Sequence, residues 1–268
     1  QKGADRFEVM TNLGKADREK LAQHIRITDG NIIASQEASD GTRKLLIDWP
    51  NHTAEQPATP LPQLGQGTTS GGDGQTECVM IPAINQSSES REAKQRRTAC
   101  ISSQVGCPVG CTFCASGLGG LETNLTPGRI IEQAWRLHHL VPEQPLTNVV
   151  FMGMGEPLSN FGAVTQAVRA LNAEWGLGLS ARRITVSTVG LPAQIRRLAD
   201  IDLPITLAIS LHAPNDELRK QLIPWAEYVT IDELAAAARH YFNTTGREVT
   251  LEYILLGGVN DQPEHAEQ

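Results

Sequence analysis

Gly106-Cys107-Pro108-Val109-Gly110-Cys111-Thr112-Phe113-Cys114 sets three of the chain's five cysteines within eight residues, spaced C-x3-C-x2-C. Thiols gathered this closely bind metal far more often than they meet by accident. A structural zinc site closes with four ligands and would have to borrow a histidine. Ordinary iron–sulfur clusters take four thiolates. Three thiolates on a 4Fe–4S cluster leave one iron open to bind and reduce a second molecule. Zinc and inert core packing of the cysteines stay open beside this reading.

Working outward from the loop, strands and helices alternate. Thr98–Ser103 reads as the strand that leads into the loop, and a helix starts after Thr126-Pro127 and runs to about Leu140, with proline placed in the first turn. Asn148–Met152, Arg183–Thr188, Ile205–Leu211 and Glu248–Leu255 are apolar enough for further strands. Helices are expected at 160–173, at Pro192–Ala199, from Asn215, and at 230–243, where Thr230 and Glu233 make a capping box. Repeated β-α units predict an α/β fold with parallel strands. A doubly wound sheet and an incomplete (β/α) barrel both accommodate five strands. The cysteine loop, Gly153–Pro157, Ser187 and Ser210-Leu211-His212 each follow or end a different strand, and a barrel gathers such ends on one face. The barrel is therefore preferred.

Upstream, residues 7–28 carry helical apolar spacing with Asp17 as a start signal, while 43–49 and 77–82 read as a β-hairpin. Between those strands, 50–76 is a flexible insertion rich in Pro, Gly, Thr and Gln. Residues 1–97 are thus expected to form a small helical and β-hairpin accessory region, and 98–268 the core. The start at Gln1 and the stop at Gln268 both read as cuts.

Composition narrows the function. The chain has 268 residues, 40% of them hydrophobic, with no run near the ~20 apolar residues of a membrane span and no signal-peptide pattern. Five clustered cysteines suit metal or redox chemistry in a reducing cytoplasm better than a disulfide framework. A net charge of −7 argues against holding nucleic acid by bulk charge. Arg91, Lys94, Arg96 and Arg97, and Arg182, Arg183, Arg196 and Arg197, form local basic clusters of the kind that usually face solvent. Cys78 is read as packing. His24, His52, His138, His139, His240 and His265 show no ligand spacing and are expected at the surface.

Four further segments carry a resemblance: Thr98-Ala99-Cys100-Ile101-Ser102-Ser103-Gln104-Val105-Gly106-Cys107, Asn148-Val149-Val150-Phe151-Met152-Gly153-Met154-Gly155-Glu156-Pro157-Leu158, Ile184-Thr185-Val186-Ser187-Thr188-Val189-Gly190, and Leu207-Ala208-Ile209-Ser210-Leu211-His212-Ala213-Pro214-Asn215-Asp216. With the cysteine loop, over about residues 40–265, the chain resembles the RlmN/Cfr family of radical-SAM RNA methyltransferases, on the RlmN side. The resemblance implies a radical-SAM barrel that methylates carbon 2 of an adenine in 23S rRNA, and in some bacteria also in tRNA. It implies a 4Fe–4S cluster on Cys107, Cys111 and Cys114, and S-adenosylmethionine held by Gly155, Glu156, Ser187, Ser210, the Leu211 backbone and His212. A cytoplasmic monomer reduced by a donor such as flavodoxin or ferredoxin is implied with it.

In that family one S-adenosylmethionine methylates a cysteine near the carboxyl end, and a second supplies the radical that activates the methyl group. By position, Glu77 is the base that removes the ring proton, and Cys100 resolves the adduct by forming a disulfide. The methyl-carrying cysteine and a cofactor-binding asparagine of the family match nothing up to Gln268. The polypeptide is accordingly expected to bind a cluster without completing methyl transfer. Another radical-SAM reaction, and a noncatalytic zinc- or RNA-binding relative, remain as alternatives.

Overall fold

The computed structural model describes residue 4 and residues 6–50, 74–83 and 96–268. The strands are β1 (Asn31–Glu37), β2 (Arg43–Asp48), β3 (Gln75–Pro82), β4 (Arg97–Cys100), β5 (Gln104–Gly106), β6 (Leu121–Asn124), β7 (Asn148–Phe151), β8 (Ile184–Thr188), β9 (Thr206–Ser210) and β10 (Val249–Glu252). Eight of them form one sheet in the order β1-β2-β3-β4-β7-β8-β9-β10, and β5 and β6 pair separately. From β4 to β10 the neighbours are parallel, while β1 to β4 are antiparallel. The five parallel strands are the expected ones. β1 and β10 stand at opposite ends of the strand order, so the barrel is open.

The helices are α1 (Lys15–His24), α2 (Pro127–His139), α3 (Phe161–Asn172), α4 (Pro192–Ala199), α5 (Asp216–Leu222), α6 (Ile231–Thr245) and α7 (Pro263–Ala266). Local signals place their ends. Thr126 accepts the Arg129 N–H at the start of α2, with Pro127 in the first turn. The Thr230/Glu233 capping box forms at α6, which stops at a left-handed Gly246. The continuous helix expected over 7–28 is instead a 3-10 turn at Phe7–Val9 and then α1. Gly14 occupies the N-cap, Asp17 lies inside the first turn, and no α1 residue is buried, so nothing rewards a longer helix.

Strand alternation gives the sheet two unlike faces. Val149, Phe151, Ile184, Val186, Leu207 and Ile209 point one way and are buried with the apolar sides of α2, α3, α4 and α6. The opposite face carries Cys100 beside Val150, Thr185 and Thr206 in one row. The next row sets Ser187 against Ala208 and Thr250, and Ser210 pairs with Glu252 beyond it. Apart from buried Ala208 and exposed Thr250, these residues are half-buried.

The hairpin pairs as expected, Leu46 opposite Glu77, and its β3 pairs antiparallel with β4. The expected boundary at 97/98 therefore falls within β4, where the sheet runs through unbroken. Glu132 of α2 accepts the N–H groups of Asp29 (2.7 Å) and Gly30 (3.1 Å), fastening this extension to the core.

β4 ends at Cys100, short of the expected Ser103. Gln133 of α2 takes over: its Oε1 accepts the Ser102 N–H at 2.8 Å and its Nε2 donates to the Ser102 carbonyl at 3.0 Å. Arg97 is a correction too. It is buried and donates to the Val141 carbonyl, so it is not part of a solvated basic face. His138, His139 and His265 are half-buried, not fully at the surface. Most of the 50–76 insertion, with His52, Arg91 and Lys94, lies outside the described residues. Among the described residues no helix is long and apolar enough to cross a membrane.

Candidate active site

The cysteine loop leaves β5 at Gly106, whose φ is +71°, and a Cβ there would meet the Gly120 carbonyl oxygen at 2.0 Å. Only glycine fits. Thr112 donates its N–H to the Leu222 carbonyl at 3.0 Å, docking the loop on the end of α5. Cys107, Cys111 and Phe113 pack there against a small apolar cluster that includes Val109, Val189, Leu191 and Leu222.

The three cysteines line a cavity of about 300 Å³ together with Gly155 and Glu156 after β7, Ser187 at the end of β8, Ser210 and His212 at the end of β9, and Glu252 at the end of β10. These are the carboxyl ends of the parallel strands, where such folds assemble their sites. Eight of the expected site residues thus meet in one place. Leu211 does not join them: its side chain lines a separate cavity of about 550 Å³ beside Pro214 and Tyr253. Its N–H goes to the Glu252 carbonyl and its own carbonyl accepts from Arg219, so its backbone is already engaged.

Gly155 has φ +102°, and a Cβ there would clash with the Gln104 side chain. Gln104 in turn accepts the Glu156 N–H at 2.7 Å. The Glu156 carboxylate is only 3% exposed and accepts from the N–H groups of Val189 (2.7 Å) and Leu158 (2.9 Å). Burial pushes this carboxyl up to about 7, while the backbone donors and the Thr188 side chain hold it back.

His212 adopts φ +57° and accepts the Ile254 N–H on Nδ1 at 3.0 Å, so the ring proton sits on Nε2. Burial first, and Arg219 second, bring it down to about 4, which keeps the ring neutral. Phe113 meets it edge-on at 5.1 Å. Beneath them Arg219 is fully buried and donates to the carbonyls of Val189 (2.6 Å), Ser210 (3.1 Å) and Leu211 (3.1 Å). It clamps the ends of β8 and β9 together.

Burial raises Cys107 and Cys111 to about 12; Cys114 and Glu156 add to both and Cys107 adds to Cys111, while the Val109 and Gly110 N–H groups hold Cys107 back. A cationic centre relieves that crowding by drawing off the thiol protons. The donor set suits an iron–sulfur cluster with an open position. A closed zinc site would need a fourth ligand, but the nearby His212 presents an N–H on Nε2 and has given its Nδ1 lone pair to Ile254. Among the described residues no three His, Cys, Asp or Glu side chains surround a point where one metal ion would bind.

Cys100 and Glu77 lie off this cavity. Cys100 accepts the Met152 N–H, and burial lifts its thiol to about 11. The Val79–Cys100 register puts Glu77 and Cys100 on the same open face, and Glu77 accepts from Lys44 Nζ at 2.8 Å. Cys78 faces the core, as expected, at 1% exposure. All five cysteines are free thiols, so the disulfide implied for Cys100 is not formed. Its strand neighbour Cys78 points to the opposite face and cannot bridge to it. Arg182 and Arg183 precede β8, at the far end of the strands from the cavity.

Sequence reasoning missed Glu252, Phe113, Arg219 and Ser102. Ser102 donates to the Glu77 carbonyl at 2.7 Å and accepts the Met154 N–H at 2.9 Å, tying β3 to the glycine loop. For Glu252 the only signal was its polar place between Leu251 and Tyr253. For Arg219 there was none, since a lone arginine on a short helix normally faces water.

Residues 101–268 match the model of the Radical SAM superfamily. The chain is 43% identical over 266 residues to a probable dual-specificity RNA methyltransferase RlmN of Rhodopirellula baltica, covering 99% of this chain and 63% of the relative. It is 43% identical over 273 residues to the dual-specificity RNA methyltransferase RlmN of Nitratidesulfovibrio vulgaris, covering 100% and 67%. The chain thus spans about two thirds of the length of these curated relatives. The crystal structure of a radical SAM methyltransferase from Sphaerobacter thermophilus superposes with a TM-score of 0.83 at 39% identity, over 98% of this chain and 69% of that one.

Proposed function

Because the chain belongs to the radical SAM superfamily and, within it, to the RlmN family, we propose that it carries the catalytic core of an RNA methyltransferase acting on carbon 2 of an adenine in 23S rRNA and in tRNA. Residues 98–268 form the cofactor-binding core and 1–97 the accessory part. The observation that carries this reading is the meeting of Cys107, Cys111 and Cys114 with Gly155, Glu156, Ser187, Ser210 and His212 around one cavity.

Cys107, Cys111 and Cys114 hold the 4Fe–4S cluster, which when bound supplies the electron and the open iron for reductive cleavage of S-adenosylmethionine. Val109 and Phe113 give the cysteine side of the cavity an apolar wall. Glu156 takes the amino-acid end of the cofactor, and the hydroxyls of Ser187 and Ser210 and the Nε2–H of His212 orient its nucleoside. From the cavity the open face of the sheet leads past Met152 to Cys100 and Glu77. There Glu77 would accept the adenine ring proton, with the Cys100 thiol beside it on the same face. The partners are 23S rRNA, tRNA and a cytoplasmic electron donor such as flavodoxin or ferredoxin, and the protein works as a monomer.

Anaerobic reconstitution with iron and sulfide is expected to give matching iron and sulfide contents that fall away in Cys111→Ser. Stoichiometric zinc without sulfide would overturn the reading. Nucleoside mass spectrometry of rRNA and tRNA incubated with the intact enzyme is expected to show 2-methyladenosine.

A further inference from the structure

Glu252 is the one carboxylate of the cavity that nothing in the fold employs. Glu156, across the site, already accepts one backbone N–H on each oxygen. The Glu252 side chain is half-buried and lines the same cavity. Among the described residues it takes no hydrogen bond and no ion pair. Its backbone is nonetheless fixed, because its carbonyl accepts the N–H groups of Leu211 (3.0 Å) and His212 (3.2 Å). An unpaired carboxylate on a fixed stretch of backbone at the wall of a cavity is poised for a ligand.

The register says which part of a ligand reaches it. Glu252 pairs with Ser210, so the two side chains rise from adjacent strands on the same face. Glu156 follows β7, three strands away, roughly 14 Å at ~4.8 Å per strand. Cys107 and Cys111 feel the charge of Glu156. The amino-acid end of S-adenosylmethionine, which must reach the cluster, therefore lies toward Glu156, and the nucleoside end toward Glu252. On the nucleoside the donors are the two ribose hydroxyls and the adenine amino group, and the ribose lies between the sulfonium and the base, nearer the strand ends. A vicinal diol offers two donors to two acceptor oxygens, the pairing by which acidic residues grip ribose in dinucleotide-binding folds.

We propose that Glu252 is the positioning residue that binds the ribose hydroxyls of S-adenosylmethionine, with Ser210 beside it. This rests on the cofactor reading above. The test is a binding cycle on the cluster-loaded protein, without reductant, by calorimetry. Wild type and Glu252→Ala are titrated with S-adenosylmethionine, its 2′-deoxy analogue and 5′-methylthioadenosine. Wild type is expected to bind the 2′-deoxy analogue about tenfold more weakly than the natural cofactor, as loss of a charge-assisted hydrogen bond requires. In Glu252→Ala that difference should vanish, while its weakened grip extends to 5′-methylthioadenosine, which keeps the ribose and lacks the amino-acid end.

An undiminished tenfold difference in the variant would overturn the proposal. So would a variant defect confined to ligands carrying the amino-acid end, which would make Glu252 an ammonium acceptor. Equal affinity of wild type for the ribo and deoxy forms overturns it however the variant folds. If wild type binds none of the three, the cofactor reading itself fails.

Discussion

The two faces of the central sheet are written by the same strands and do opposite work. Along β8, Ile184 and Val186 enter the core while Thr185 and Ser187 face the open side. Along β9, Leu207 and Ile209 do the first, and Thr206 and Ser210 the second. The helix-covered face needs only apolar volume. The open face keeps small hydroxyl residues beside Cys100 and Val150, with the carboxylates of Glu77 and Glu252, which contribute little to stability and leave room for a ligand. Stability and chemistry are thus separated by a single step along the chain.

The sharpest way to break this comparison is to truncate one residue from each face. Leu207→Ala removes a fully buried side chain and is expected to cost about 2–5 kcal/mol in urea denaturation. Thr185→Ala, on the next strand but the open face, should cost about 1 kcal/mol or less. Equal losses would mean that the open face is structural after all.

Arg219→Met probes the rim where the faces meet. It leaves the carbonyls of Val189, Ser210 and Leu211 without their donor and should destabilise by about 2–3 kcal/mol. Faster hydrogen exchange should follow at the ends of β8 and β9 and in the cysteine loop, with the strand centres unchanged.

The smallest effect is a pH dependence. His212 is held below its ordinary 6.5, at about 4. In that window the unfolded chain binds a proton that the fold refuses, so this contribution is complete above pH 6.5 and is lost as pH falls toward 4. His212→Asn keeps an acceptor for the Ile254 N–H and tolerates the left-handed backbone. Melting temperatures across pH 4–6.5 should therefore decline less steeply in the variant than in wild type.

Much of the parallel half was legible from sequence because its signals are local. Pro192–Ala199 and the Thr230 capping box fell where the spacing put them, and the strand-end positions of the cysteine loop and Gly153–Pro157 already implied one shared face. What escaped was set by register between distant strands. That Glu252 stands opposite Ser210, or that Leu211 turns into another cavity, depends on how β10 aligns with β9, and no local pattern encodes it. Arg219 escaped for a related reason: its partners are backbone carbonyls, which have no sequence identity. β1 was missed because it buries none of its seven residues, leaving no hydrophobic alternation to read.

The pairing of Gln133 with Ser102 has a consequence for how this architecture can diverge. A carboxamide, offering one donor and one acceptor in a plane, copies a peptide unit, so α2 supplies a counterfeit strand at the place where β4 gives out. The strand end is braced on one side by the helix, while on the other Ile101, Ser103 and Gln104 keep bonding to Val150, Gly153 and Met154. The cysteine segment between Ser103 and Leu125 hangs from that braced strand end and is tied again by Gln104 to Glu156 and by Thr112 to Leu222, so change within it is tolerated only where those ties are kept.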